Sequence, residues 1–171
     1  MNRVVITGAG TINALGGNVQ QTLETMRGGC SGISPLELRD VDRLSVKIGG
    51  QVRGFDGARH FDRQKLALYD RFTQFTLVAA REAMEQSGLI FSGELAETAG
   101  VVLGTAAGGI NTWDENFRSV YKDGKNRVHP LVVPKLMNNA ATSHVSMEFN
   151  LQGPSLTVST ACASSNHAIG L

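Results

Sequence analysis

Val158-Ser159-Thr160-Ala161-Cys162-Ala163-Ser164-Ser165-Asn166-His167-Ala168-Ile169-Gly170 places one thiol between two structural signals. Before it, residues 155–159 follow the turn pair Gly153-Pro154 and predict a strand. After it, a run of small residues starts a helix. A thiol at a helix start meets unsatisfied N–H groups and the positive end of the dipole, which favour thiolate. The same N–H groups can stabilise the oxyanion of a thioester under attack. Ala161, Ala163 and Ser164 leave room for an acyl chain to approach. The competing reading is a buried cysteine acting as a small hydrophobe, and spacing alone leaves the two even.

Outward from this segment, strands alternate with helices. Residues 99–103 predict a fully buried strand, followed by the turn Gly104-Thr105-Ala106-Ala107-Gly108-Gly109. Thr112-Trp113-Asp114-Glu115 fits a capping box, opening a helix that ends at Gly124. Pro134 suits the first turn of another helix, carried on by Leu136, Met137, Ala140, Ala141 and Val145. The clearest helix runs over about 64–87, with Phe72, Phe75, Thr76, Ala79 and Ala83 on one face and Gly88 closing it. Its Ala79-Ala80 pair would let another element approach closely. Nearer the N-terminus, residues 3–7 predict a buried strand turning at Gly8 and Gly10. Asn18 caps a helix through Val19, Leu23 and Met26, stopped by Gly28-Gly29, and residues 46–52 predict one strand in an otherwise irregular stretch. The pattern is that of an α/β layered domain.

Composition narrows the function classes. The chain has 171 residues, 42% of them hydrophobic, a length that suits one domain. Charged residues at 18% are sparse, as in a chain that hides surface against something. The formal net charge of +1 argues against nucleic acid as a partner. No apolar stretch is long enough to span a bilayer, and the start lacks a signal peptide, so no membrane role is expected. Two distant cysteines, Cys30 and Cys162, suggest free thiols and a cytoplasmic protein. His60, His129, His144 and His167 show no metal-ligand spacing. Thr7-Gly8-Ala9-Gly10 falls short of the dinucleotide fingerprint, which wants a glycine where Asn13 stands. Ala168-Ile169-Gly170-Leu171 stops inside an apolar segment and reads as the end of a fragment, one expected to be poorly stable alone.

Thr160-Ala161-Cys162-Ala163-Ser164 resembles the active-site motif of β-ketoacyl-acyl carrier protein synthases. The likeness extends over the whole chain, in the family's order: Val4-Val5-Ile6-Thr7-Gly8, Ser31-Gly32-Ile33, Asp70-Arg71-Phe72, the glycine-rich turn at 104–109, Val133-Pro134 and Leu151-Gln152-Gly153-Pro154-Ser155. It is nearest to the type II elongating enzymes. Pro134-Lys135-Leu136-Met137 and Ser165-Asn166-His167-Ala168-Ile169 also resemble the nodulation protein E branch.

The resemblance implies a thiolase-like α/β fold of helix, sheet and helix layers, with residues 1–171 forming its N-terminal half, truncated at the C-terminal end. Cys162 would accept an acyl group as a thioester, which the carbanion from decarboxylated malonyl-carrier then attacks. The two histidines and lysine of the decarboxylation step would lie in a second half that this chain lacks. A homodimer is implied, with residues 155–159 resembling the strand that pairs across the two-fold. Ala107, Val132 and Val133 would line the acyl pocket, with Ala107 at a gate often filled by isoleucine. An acidic acyl carrier protein is the implied partner, docking on a basic patch for which Arg59, Arg63 and Lys65 are candidates. No metal or organic cofactor is implied, because the phosphopantetheine arm arrives on the carrier. A non-catalytic chain-length partner would share the fold but typically lacks the cysteine. A thiolase would use coenzyme A and different motifs, and nodulation-type lipid synthesis stands beside fatty-acid elongation as the pathway.

Overall fold

The computed structural model describes residues 3–171 and divides the chain into two compact units. The first comprises Met1–Asp56 with Val78–Leu89, and the second Gly57–Leu77 with Ile90–Leu171.

In the first unit, α1 (Val19–Arg27) begins as expected, with the Asn18 side chain accepting the Gln21 N–H at 2.8 Å. The expected strand at 46–52 is β2 (Ile48–Gly50), which pairs antiparallel with β1 (Ile33–Pro35) in a stretch that reads as irregular in sequence. Residues 3–7 form no strand. Val4 and Ile6 are each 92% exposed, because no described strand lies alongside to pair with the segment. The chain beyond instead follows the second half of α3 (Arg71–Ser87), whose side chains take its N–H groups. Ala9 N–H donates to Gln86 Oε1 at 2.5 Å. Glu82 accepts the Thr11 N–H at 2.9 Å and the Val19 N–H at 2.8 Å. Gly10 lies against the α3 backbone at Ala79 and Ala83, where a Cβ would collide, so its glycine serves close approach to the helix.

The second unit holds a two-stranded parallel sheet. The expected helix at 64–87 is two helices, α2 (Arg63–Leu68) and α3, broken at Tyr69-Asp70. Next come α4 (Gly93–Thr98) and β3 (Val101–Gly104), which is partly exposed at Val102 rather than fully buried. The helix α5 (Ile110–Phe117) continues through a π-helical turn, Arg118–Lys122. It starts two residues before Thr112, so Thr112 is no cap. Instead Asp70, 4% exposed, accepts both the Thr112 N–H at 2.7 Å and the Thr112 hydroxyl at 2.6 Å. One carboxylate thus accepts from the first turn of α3, at Phe72 N–H, and from the first turn of α5. The expected helix after Pro134 is also two, α6 (Val132–Leu136) and α7 (Ala140–Phe149).

The strand β4 (Ser155–Val158) runs parallel to β3, with Gly104 opposite Val158. Alternation along the strands sends Thr157 and Gly104 to opposite faces. Thr157 shares a 2.5 Å hydrogen bond with Thr142 of α7. Gly104 abuts the backbone of α8 (Ser164–Gly170), giving the unit its helix, sheet and helix layers.

Tyr69 meets Phe61 edge-on at 5.4 Å and His144 of α7 at 4.5 Å between ring centroids. Burial pulls the His144 pKa below 6.5, with the Glu148 carboxylate opposing more weakly. The unfolded chain therefore takes up this proton first. Stability is full above pH 6.5 and declines as pH falls from 6.5 towards the lower folded value. The ring is partly exposed, so solvent screening keeps the decline small. His144→Phe should flatten it, measured as the difference in melting temperature between neutral and mildly acidic buffer.

Candidate active site

The carboxyl ends of β3 and β4 point the same way, so the segments that follow them emerge side by side. Thr105 N–H donates to Val158 O at 3.0 Å, and Ser159 Oγ donates to Ala106 O at 3.3 Å. This edge of a parallel sheet is where α/β proteins hold their sites. Ala107 lies in the first segment and Cys162 in the second, both exposed.

Cys162 occupies the middle of a 3-10 turn, Ala161–Ala163, and α8 begins only at Ser164. The thiol is therefore one tight turn ahead of the α-helix, not within its first turn as the sequence suggests. The cause is Ala161, whose φ of +49° bends the chain sharply after the strand. The first bonds then close over three residues, Ala163 N–H to Thr160 O at 3.0 Å and Ser164 N–H to Ala161 O. A left-handed alanine costs about 1–3 kcal/mol. Strained strand-to-helix turns of this kind lift a nucleophile clear of the sheet.

The other expected site residues divide. Val132 lines an apolar cavity of about 180 Å³ with Trp113, Phe117, Val128 and Leu136. Val133 is exposed on the same helix, and neither it nor Ala107 lines that cavity. Arg63 and Lys65 are exposed on α2, with Arg59 in the 3-10 turn Gly57–Arg59 just before. A second groove, of about 450 Å³, is lined by Lys125, Arg127, His129 and Lys135 with Glu115 as its one carboxylate, and its wall includes Ala67 of α2. In sequence, Lys122, Lys125 and Arg127 with Asp123 between them have the pattern of an ordinary solvated loop. Their sequence signal is the recurrence of cations from 125 to 135. Ser164, which in sequence reads as a small residue leaving room for an acyl chain, is instead buried and bonded across the turn that carries the thiol.

The geometry thus presents an exposed thiol on a strained turn, between a parallel strand and a helix at the sheet's carboxyl edge. The whole chain, residues 1–171, matches the family described as Beta-ketoacyl synthase, N-terminal domain, and belongs to that family. It is 35% identical over 168 residues to the 3-oxoacyl-[acyl-carrier-protein] synthase 2 of Staphylococcus aureus (strain N315), a match covering 98% of this chain and 41% of that relative. The solved beta-ketoacyl synthase from Burkholderia phymatum STM815 superposes with a TM-score of 0.81 at 23% identity, over 99% of this chain and 42% of that one. A ketosynthase solved in complex with a type II PKS acyl-carrier protein gives a TM-score of 0.80 at 21% identity, over 99% and 45%. The fold is thus thiolase-like, and the chain corresponds to its N-terminal half.

Proposed function

We propose that the chain is the nucleophile-bearing part of a β-ketoacyl-acyl carrier protein synthase, an acyltransferase of fatty-acid elongation. The observation that carries this reading is Cys162, exposed on the strained turn at the carboxyl edge of β3 and β4. Its sulfur attacks the acyl carbonyl carbon of a thioester. The bond from that carbon to the donor sulfur breaks, and the donor leaves as a free thiol carrying the proton that Cys162 gave up. Covalent capture divides the condensation into two easier steps. In the second, malonyl-carrier loses carbon dioxide, and its carbanion attacks the Cys162 thioester to release a β-ketoacyl product. A silent chain-length partner has no need of this cysteine, which favours the enzyme.

The donor we propose is an acidic acyl carrier protein whose phosphopantetheine arm supplies the thiol, with no resident cofactor. Arg63 and Lys65 on α2 and the cations of the adjoining groove offer it one basic surface. The side-by-side emergence of the two segments supports Ala107 as an acyl gate, and Val132 and Val133 would reach toward the acyl pocket of a second copy. Among the described residues β4 pairs only with β3, which leaves an edge that a second copy could extend in a cytoplasmic homodimer.

The test is S-acylation from a decanoyl thioester, followed by mass spectrometry. Cys162 should be acylated at least about tenfold faster than Cys30, the excess expected of an activated and positioned thiol over an ordinary one. Equal or preferential modification of Cys30 sinks the assignment. In the same assay, Ala107→Ile should slow the longest acyl donors selectively. Charge reversal at Lys125 and Arg127 should slow transfer from a carrier-borne acyl group but not from a small thioester.

A further inference from the structure

Two residues past the thiol, Ser164 is 3% exposed and its hydroxyl is engaged on both sides. Oγ accepts the Thr160 N–H at 2.9 Å and donates to the Ala161 carbonyl at 2.7 Å. The same carbonyl receives the Ser164 N–H. These bonds bracket Ala161, the residue whose φ of +49° aims the turn. A single side-chain atom that both accepts and donates here must be a hydroxyl oxygen. The Ser164 backbone, in turn, is seated on β3, where Gly104 alone leaves space for it. Ser164 therefore ties the sheet to both ends of the turn that carries Cys162.

We propose that Ser164 is a positioning residue for the Cys162 nucleophile, its hydroxyl holding Ala161 left-handed and thereby setting the direction in which the sulfur leaves the turn. This rests on the reading of Cys162 as the acyl acceptor. The hydroxyl has both its bonds within the backbone of the turn and takes no part in the chemistry itself. Without it the Thr160 N–H loses its acceptor, and Ala161 can relax to an ordinary right-handed or extended conformation. Acyl transfer needs the sulfur on a defined line to the carbonyl carbon, and a displacement of about 1 Å at a reacting atom costs up to about 100-fold. Alkylation by a small mobile reagent has a weaker demand on direction.

Ser164→Ala and Ser164→Thr are compared with the parent chain by two reactions, S-acylation from decanoyl-N-acetylcysteamine and S-alkylation with iodoacetamide. Cys30 is the internal reference. Rates are expressed per folded molecule, from hydrogen exchange of the β3 and β4 amides, so that lost stability cannot imitate lost positioning. Acylation of Cys162 should fall about tenfold or more in Ser164→Ala while alkylation changes less than about threefold, and a folded Ser164→Thr should recover most of the rate. Acylation within about twofold of the parent, an equal fall in both reactions, or no recovery in folded Ser164→Thr would overturn the proposal. A parent chain that acylates Cys30 in preference to Cys162 refutes the nucleophile reading instead. The Thr160 amide still reports on Ser164 in that case. Faster exchange in Ser164→Ala shows that the hydroxyl holds the turn, and unchanged exchange shows that it does not.

Discussion

Gly104→Ala should unseat the helix that follows Cys162. An added Cβ would fall well inside contact distance of the Ser164 carbonyl, with Ser165 N at 2.6 Å. All of these are backbone atoms at the start of α8, so no side-chain rotation relieves the collision. Either β3 shifts or α8 lifts, and β3 is tied to β4 along its length. Overpacking of this kind costs about 3 kcal/mol, roughly a hundredfold in the folding equilibrium. Because Ser164 is the residue pushed, S-acylation of Cys162 should fall with it, while alkylation of Cys30 stays unchanged. Gly170→Ala is the control on the same helix, since nothing lies within 4 Å of its Cβ position, and it should be neutral or slightly stabilising. Denaturant melts measure both. A Gly104→Ala midpoint equal to that of the parent would mean that α8 is not seated on β3 as described.

Asp70→Ala should destabilise the second unit by about 3 kcal/mol, because it removes two charge-assisted bonds and leaves the buried Thr112 N–H and hydroxyl without their acceptor. Asp70→Asn keeps an acceptor but loses the charge, and should fall between the parent and alanine. The effect reaches the site through α5, which begins directly after the turn carrying Ala107 and depends on Asp70 as its cap. Hydrogen exchange is the direct measurement. The Thr112 amide should lose protection in Asp70→Ala well before the β3 and β4 amides do. Retained protection at Thr112 would show that α5 is capped without Asp70.

Asp70 also shows where sequence reading stopped. The Asp70-Arg71-Phe72 match was legible as a family mark, but its task was not, because Thr112 is 42 residues away. Thr112-Trp113-Asp114-Glu115 has the spacing of a local capping box, and the longer-range bond overrides it. Residues 3–7 have strand composition, yet a strand needs a neighbour, and the chain is held by Glu82 and Gln86 side chains instead. Of the small pair Ala79-Ala80, Ala79 is approached closely by Gly10, a contact that small residues on a helix face allow without naming the partner.

By itself the sequence determined what acts over a few residues: the Asn18 cap, the Gly153-Pro154 turn into β4, the close of α3 at Gly88, and a lone thiol between strand and helix. Each depends on side-chain volume, backbone preference or a bond reaching no further than the next turn. Its motifs, being ordered along the whole chain, also determined the family. Tertiary structure alone decided that β3 and β4 run parallel, bringing the Ala107 turn beside Cys162, and that α2 borders the groove of Lys125, Arg127 and His129. It also decided that Cys162 stands on a 3-10 turn aimed by a left-handed Ala161 rather than in a helix. The physical reason is that alanine does not choose that conformation unaided. It is held there by a buried Ser164 hydroxyl, in a turn whose following helix is seated on Gly104, the β3 position without a side chain.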